Sequence, residues 1–316
     1  MIKCQKFTQS NCEDWERFIS SSSNGTIFHY RKFIDYHENP PFQDSSLLFY
    51  KKNHLIAVLP AAIKDNQFIS HPGISFGSFI YNTQLSYSDT LNIINAFKNY
   101  LDQKKYKKVI ITLPPDCYSK SISHYIEFCL YQLSFKYLRL ELSNVVNINK
   151  KIDEVMGDFK TENRTAIRKA KKANLIIQQS EKYDDFYSIL KKNLKLRHNV
   201  IPTHTIKEIK KIKELFPNEI NLFTAEHNNN VIAGVINFVC NQQTVLAFYI
   251  SHNTEFQNLR PLNLLFVEIF EWAISNKYQY YDFGLFTDYE KPNISLARFK
   301  ESFGSEGVFR KTMILE

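Results

Sequence analysis

Leu47-Leu48-Phe49-Tyr50-Lys51-Lys52-Asn53-His54-Leu55-Ile56-Ala57-Val58 reads as strand, short polar turn, strand, and so does Phe223-Thr224-Ala225-Glu226-His227-Asn228-Asn229-Asn230-Val231-Ile232-Ala233-Gly234. Their Ile-Ala pairs lie 176 residues apart. After each hairpin the pattern continues with a further strand, a long helix and another strand: 87–105 then Val109-Ile110-Ile111-Thr112-Leu113, and 262–276 then Tyr280-Tyr281-Asp282-Phe283-Gly284. A period this long marks a duplicated domain, not a solenoid. In the second helix Leu262, Leu265, Phe266, Ile269 and Ala273 form one apolar face, and Pro261 suits the first helical position, where its missing N–H costs nothing. A second stripe runs through Tyr183, Phe186, Leu190 and Leu194. Between the halves, Leu140 to Phe159 carries Asn144, Asn147, Asn149, Lys150, Lys151 and Gly157, which predicts domains over 1–148 and 149–316. Hairpins followed by helix–strand units predict an α/β (α+β) class with a mixed sheet flanked by helices in each half. Ligands enter such folds where strands splay or domains meet, which points to the strand ends near Tyr249 and Asp282.

Composition narrows the function. With 44% hydrophobic and 23% charged residues over 316 positions, the chain has globular values that exclude disordered, collagen-like and coiled-coil readings. Only 8 glycines are present, so glycine-rich phosphate loops are nearly ruled out. Residues 151–215 hold 16 Lys/Arg against 9 Asp/Glu and so carry most of the net charge of +8. Such a local basic patch suits a phosphate-bearing partner, whether a nucleotide-activated substrate, coenzyme A, RNA or anionic lipid, and equally suits a solvated helix face. Cys4, Cys12, Cys117, Cys129 and Cys240 are scattered, with no zinc-type spacing, which fits a reduced compartment and no metal. With no apolar signal core at the start and no run of about 18 apolar residues, the expectation is a cytoplasmic protein, at most peripheral to a membrane.

At the level of motifs the chain resembles a known group. Gly25-Thr26-Ile27-Phe28-His29-Tyr30-Arg31-Lys32-Phe33-Ile34-Asp35-Tyr36-His37, Asp44-Ser45-Ser46-Leu47-Leu48 and Ala57-Val58-Leu59-Pro60-Ala61 look like the first half of tandem GNAT-fold acyltransferases. Ser70-His71-Pro72-Gly73-Ile74-Ser75-Phe76-Gly77 resembles that group's S-H-x-G-[LI]-[TS]-[YF]-G, and Arg197-His198-Asn199-Val200-Ile201-Pro202-Thr203-His204-Thr205 its H-x-x-x-P-x-H-T. Tyr281-Asp282-Phe283-Gly284, then Asn293, Leu296 and Lys300-Glu301-Ser302-Phe303-Gly304, resemble its [YF]-D-F-G and N-x-x-L-x-x-x-K-E-x-F-G. The group is related to the Fem-type peptidoglycan bridge ligases and is found among bacterial capsule and O-antigen functions. The resemblance implies two tandem GNAT-like (acyl-CoA N-acyltransferase fold) domains, with most of the active cleft in the second. Two departures bear on the acceptor: Ala247-Phe248 stands before Tyr249 where a polar residue is usual, and Phe286 stands where serine is usual.

Each motif has a plain alternative. Gly73-Ile74-Ser75-Phe76-Gly77 matches the G-x-S-x-G of serine hydrolases, but that elbow joins a strand to a helix and here the sequence continues as strand. A bend where backbone approaches a ligand, with His71 facing it, is the preferred reading. GNAT enzymes hold the coenzyme A pyrophosphate on backbone N–H groups at a helix N-terminus. The equivalent stretch, His252 to Pro261, has no glycine; Arg260 can supply a charge there or be an exposed loop arginine. Arg164, Arg168, Lys169, Lys171 and Lys172 can meet a nucleotide-sugar diphosphate or tRNA, the donor of Fem-type ligases, but lack interleaved aromatics for stacking on bases. His198 and His204 have no metal-ligand spacing.

No Ser/His/Asp or Cys/His set stands out, so the expected reaction is direct transfer of an acyl or aminoacyl group from an activated carbonyl to an amine. Asp282 is expected to accept or orient the amine proton, with a turn-forming Asp before glycine as its plain alternative. Lys300, by the Fem-type resemblance, is expected to stabilise the oxyanion, with a surface lysine capping a helix as its plain alternative. His29, His71, Phe76, Arg197, His198, His204 and Tyr249 are expected to line the substrate cleft, with Arg260 toward the donor. The expected donor is acyl-CoA and the expected acceptor a nucleotide-activated or lipid-linked amino sugar of a surface polysaccharide. The alternatives are an aminoacyl-tRNA-dependent ligase and a non-catalytic scaffold; no DNA is expected.

Overall fold

The computed structural model describes residues 2–36, 43–82, 85–198 and 201–316, with 196–198 described through their backbone only. The chain forms two compact units, Met1–Glu141 with Phe309–Glu316, and Leu142–Val308.

The first unit holds strands β1 (Ile2–Lys6), β2 (Gln43–Asp44), β3 (Leu47–Lys51), β4 (His54–Leu59), β5 (Ala62–Lys64), β6 (Gln67–Ile69), β7 (Ile80–Tyr81) and β8 (Lys108–Thr112). Its helices are α1 (Cys12–Ser21), α2 (Arg31–Ile34), α3 (Tyr87–Lys104) and α4 (Tyr125–Gln132). Four strands form an antiparallel sheet in the order β1-β3-β4-β7. Beside it β2, β5 and β6 make an antiparallel run whose last strand pairs parallel with β8. Phe49, Leu59, Phe68, Phe79, Phe97 and Ile111 fill the core between sheets and α3, all of them out of water. Under α1 a second cluster gathers Trp15, Phe18, Leu48, Val58 and Ile80. Arg31 is buried there because its charge is answered: it reaches Asp35 at 2.8 Å and Asp44 at 2.9 Å, and its guanidinium lies 4.2 Å from the centre of the Phe7 ring.

Strand β9 (Lys136–Asn147) carries the chain into the second unit. There α5 (Ile152–Gly157), α6 (Thr161–Lys171), β10 (Ile176–Ser180), α7 (Tyr183–His198), α8 (Ile206–Leu215), β11 (Ile220–His227), β12 (Asn230–Val239) and β13 (Thr244–His252) follow. Then come α9 (Pro261–Ser275), β14 (Tyr280–Leu285), the short pair β15 (Thr287–Asp288) and β16 (Lys291–Pro292), and α10 (Ile294–Glu301). Strands β10 to β13 are antiparallel neighbours; β14 runs parallel to β13 and antiparallel to the end of β9. The predicted stripe of α9 is buried throughout, with Pro261 at its first turn, and packs with Val245, Ala247, Tyr281 and Phe283. Strand β17 (Glu306–Leu315) then returns the chain to the first unit, where Thr312 to Leu315 pair with β8. The sequence reading, which placed 149–316 in one domain, contained no such return.

The repeat is visible in detail. Both hairpins turn on two residues of positive φ, Lys52-Asn53 (46° and 66°) and Asn228-Asn229 (49° and 63°), the geometry that matches strand twist. Both carry a bulge at the same place: Phe49 faces Ala57 and Tyr50 faces Leu55, while Ala225 faces Ala233 and Glu226 faces Val231. The extra residues are Ile56 and Ile232, the isoleucines of the two Ile-Ala pairs. Among the described residues no helix is long and apolar enough to cross a membrane.

Gly234 in β12 tests the second core. A Cβ there would stand 2.5 Å from the ring of Phe186, which α7 holds out of water. Gly234→Ala is expected to cost about 1–3 kcal/mol through overpacking, read as a lower urea midpoint; an unchanged midpoint would show that α7 yields without strain.

Candidate functional site

The central feature of the second unit is a parting of strands. β13 and β14 pair through Thr244–Tyr280, Val245–Tyr281 and Leu246–Asp282, and no further. Beyond that point β13 remains with β12 but bulges: Ile236 faces Tyr249 and Asn237 faces Ala247, so Phe248 is the extra residue. A bulge raises local twist and bends its strand, which turns β13 aside here. Phe248 lies flat on Phe238, ring centres 4.2 Å apart. The backbone of Ala247 to Tyr249 therefore borders a wedge whose far side is β14, with a Cβ on Gly284 standing 3.9 Å from the Ala247 carbonyl oxygen.

Asp282 is the last paired residue before the strands part, and it is fully buried. Its Oδ1 accepts from the Gly284 N–H at 2.7 Å, closing a turn that Gly284 permits with φ of 73°. Lys300, 2% exposed on α10, donates Nζ to the carbonyls of Gly284 at 2.7 Å and Leu285 at 2.8 Å. Carboxylate and ammonium are thus fastened to one turn, and hydrogen bonds offset the cost of burying them. Asn293 begins α10 by accepting from the Leu296 N–H at 3.0 Å. That cap explains the spacing of the N-x-x-L-x-x-x-K pattern: Asn293 starts the helix and Lys300 reaches back to β14 from its last turn.

A second pair forms beside the bulge. The Tyr249 hydroxyl accepts from the His204 N–H at 3.1 Å and lies 3.0 Å from its Nδ1. Burial, with lesser contributions from neighbouring groups, pushes the Tyr249 phenol above its ordinary range, so it stays protonated. The His204 carbonyl accepts from Tyr187 at 3.2 Å, and Thr205 caps α8 in a reciprocal box with Glu208. The H-T of the sequence motif therefore sets a loop against β13. Arg197 and His198 end α7, and their side chains lie outside the described residues. Arg260 is exposed, has a left-handed φ of 58°, and precedes α9. Ahead of it, Thr254–Leu259 is a tight helical turn. Three amides here are bonded locally: Glu255 donates to the Asn253 side chain, Phe256 to the Asn253 carbonyl and Arg260 to that of Gln257.

In the first unit His29, His71 and Phe76 gather. Thr26 N–H donates to His29 Nδ1 at 3.0 Å, so the ring proton sits on Nε2, which donates to the Phe76 carbonyl at 3.3 Å. Burial pushes the His29 pKa down to about 3, and the Phe76 and Gly77 carbonyls only partly oppose it. His71 is buried at a positive φ of 29° and interacts electrostatically with His29 and Asp44. Gly77 packs against the Ser70 backbone so closely that a Cβ would stand 2.5 Å from its carbonyl oxygen. Ser75 leads into an irregular stretch and then β7, not into a helix, so the elbow geometry is absent. The sequence reading missed the stacked Phe238 and Phe248, because nothing in Ala247-Phe248-Tyr249 announces a bulge.

Residues 157–300 match the acetyltransferase (GNAT) domain family. No curated protein matches the sequence. Among solved structures the chain is similar to FemX, at 13% identity, TM-score 0.74, and coverage of 99% of this chain and 96% of that one. It is similar to a C-terminal domain from Agrobacterium fabrum described as that of a lysylphosphatidylglycerol synthetase, at 9% identity, TM-score 0.61, and coverage of 97% and 92%. A tandem GNAT protein from the clavulanic acid pathway aligns at 8% identity, TM-score 0.56, and coverage of 100% and 98%. The fold is therefore GNAT, with tandem neighbours, and the domain match over 157–300 supports an acyltransferase.

Because His29 is neutral in the fold down to about pH 3, it should make stability pH-dependent. Above the ordinary imidazole value its contribution is complete; below it the unfolded chain takes up a proton that the folded chain refuses. Unfolding free energy should fall by about 1.4 kcal/mol per pH unit below pH ~6.5 from this group. In His29→Gln that slope should vanish, so urea melts at pH 7.5 and 5 should show the gap between wild type and variant closing. A gap that stays constant would show that His29 does not carry the effect.

Proposed function

We propose that the second unit transfers an acyl group directly from an activated donor to an amine, the amine belonging to an amino-sugar precursor of a bacterial surface polysaccharide. The observation that carries this reading is the wedge between β13 and β14, which has Asp282 at its apex. A carbonyl placed along β13 meets strand backbone at the bulge, where amides outside the ladder can polarise its oxygen. The amine nitrogen attacks the carbonyl carbon, the C–N bond forms, and the bond to the donor's sulfur or oxygen breaks. Asp282 orients the amine and takes up its proton. Lys300 holds the Gly284–Leu285 carbonyls and places a positive charge near the developing oxyanion, which makes it a positioning residue first. Tyr249 and His204 line the bulge side.

Acyl-CoA is the donor expected for a GNAT domain. One observation favours an aminoacyl donor of the Fem-type kind instead: in the turn before α9, where a pyrophosphate would sit on backbone amides, those of Glu255, Phe256 and Arg260 are bonded within the turn. Similarity to FemX and to the lysylphosphatidylglycerol synthetase domain agrees with that second reading.

Two measurements test the proposal. In thermal shift with acyl-CoAs, nucleotide-activated amino sugars and aminoacyl-tRNA, a saturable rise in Tm with one donor is expected; stabilisation by a protein partner alone would favour a scaffold. In transfer assays Asp282→Asn, whose amide oxygen still accepts from Gly284, should lower kcat by about 10²–10³ with Tm unchanged. Lys300→Met should lower kcat to a similar degree and Tm as well, while exposed Lys64→Ala changes neither. Full turnover in both site variants would remove Asp282 and Lys300 from the reaction.

A further inference from the structure

The first unit carries an open pocket of about 550 Å³ that the transfer reaction does not use. It lies between the end of β7, the start of α3 and the start of α4. Three rings form one wall: Tyr87, Tyr125 and Phe128. They are 41%, 45% and 48% exposed, unusual for rings in a unit whose other large aromatics are mostly buried. They are not loose. Tyr87 meets Tyr125 edge-on, with centres 5.6 Å apart, and meets Phe128 at 6.2 Å. Tyr81, Leu85, Ser121, Ile122, Ser123 and His124 complete the lining. His124 is steadied by Asp116 at 3.9 Å and Glu127 at 3.6 Å. No Lys, Arg, Asp or Glu lines the pocket among the described residues.

We propose that this pocket binds a neutral saccharide. A pyranose shows a C–H face that packs on an aromatic ring and a rim of hydroxyls that need donors and acceptors beside it. The lining offers both, rings together with two serines and an imidazole, and the pocket's size falls in the range of small-ligand sites. Lys and Arg, the side chains that hold a phosphate or carboxylate best, are absent from the lining among the described residues, and the acids Asp116 and Glu127 stand beside its one imidazole. Rings already fixed edge to face lose little freedom on binding, which preserves affinity. The site lies wholly in the first unit, so it stands or falls separately from the acyl transfer proposed for the second.

The test uses the full chain. Saturation-transfer NMR and calorimetry with chitotetraose, cellotetraose, maltotetraose and the methyl glycosides of galactose, mannose and rhamnose should show saturable binding of at least one. Tyr125→Ala and Phe128→Ala should each weaken it about tenfold, with Tm unchanged because both rings are half exposed. Acyl transfer should be retained in these variants. Binding by none of the probes, or binding that survives in both variants, overturns the proposal. So does a concentration-dependent dimer that either variant dissolves, since the rings would then serve a second copy of the chain.

Discussion

Everything in the second unit follows from a parallel pairing that lasts three residues. Parallel strands joined through a helix are held by that helix as much as by their ladder, so β13 and β14 can part without the sheet falling open. Helix α9 fills the space beneath, and its continuous apolar face secures both strands up to the point where they separate. The separation exposes backbone on one side and delivers a carboxylate on the other. In the first unit the equivalent strands, β7 and β8, do not pair at all: β8 pairs instead with β6 and β17. One ancestral pattern has thus been opened by different amounts in its two copies.

Much of this was legible in the sequence, and the reason is periodicity. The two Ile-Ala hairpins, the α9 stripe and Pro261 report on strand alternation and helix faces, which local residue pattern determines directly. Asp282 and Lys300 were legible as candidates, and the structure fastens both to the turn at Gly284. What could not be read was whatever depends on register. The bulge at Phe248 arises from how β12 and β13 pair, and no residue in either strand encodes it alone. The return of β17 to β8 likewise pairs segments 200 residues apart with ordinary strand composition. His29 was read as a cleft residue from its place in the 25–37 motif; its local bonds, closing a turn on Thr26 and supporting Phe76, come from a capping geometry that the sequence hints at only through their spacing.

The charged groups show a common economy. Arg31 sits among aromatic rings with Asp35 and Asp44 in reach, Lys300 sits on two carbonyls, and Asp282 on an amide. For Asp44 burial works against ionisation, and the Arg31 charge and Ser46 hydrogen bonds more than offset it, holding its carboxyl below the usual range. Each of these buried charges is therefore tied to backbone or to an oppositely charged partner.

The placement of β17 has a consequence for synthesis. A ribosome emits the first unit long before Thr312 to Leu315, yet β8 lacks one neighbour until those residues arrive. At ordinary elongation rates that interval is roughly 10–35 s. Throughout it, β8 presents an open edge rich in isoleucine and valine, the kind of surface that recruits stray strands. The nascent chain thus depends on residues 312–315 to complete a sheet begun within its first 112, and a chain stopped before them would leave β8 without that neighbour.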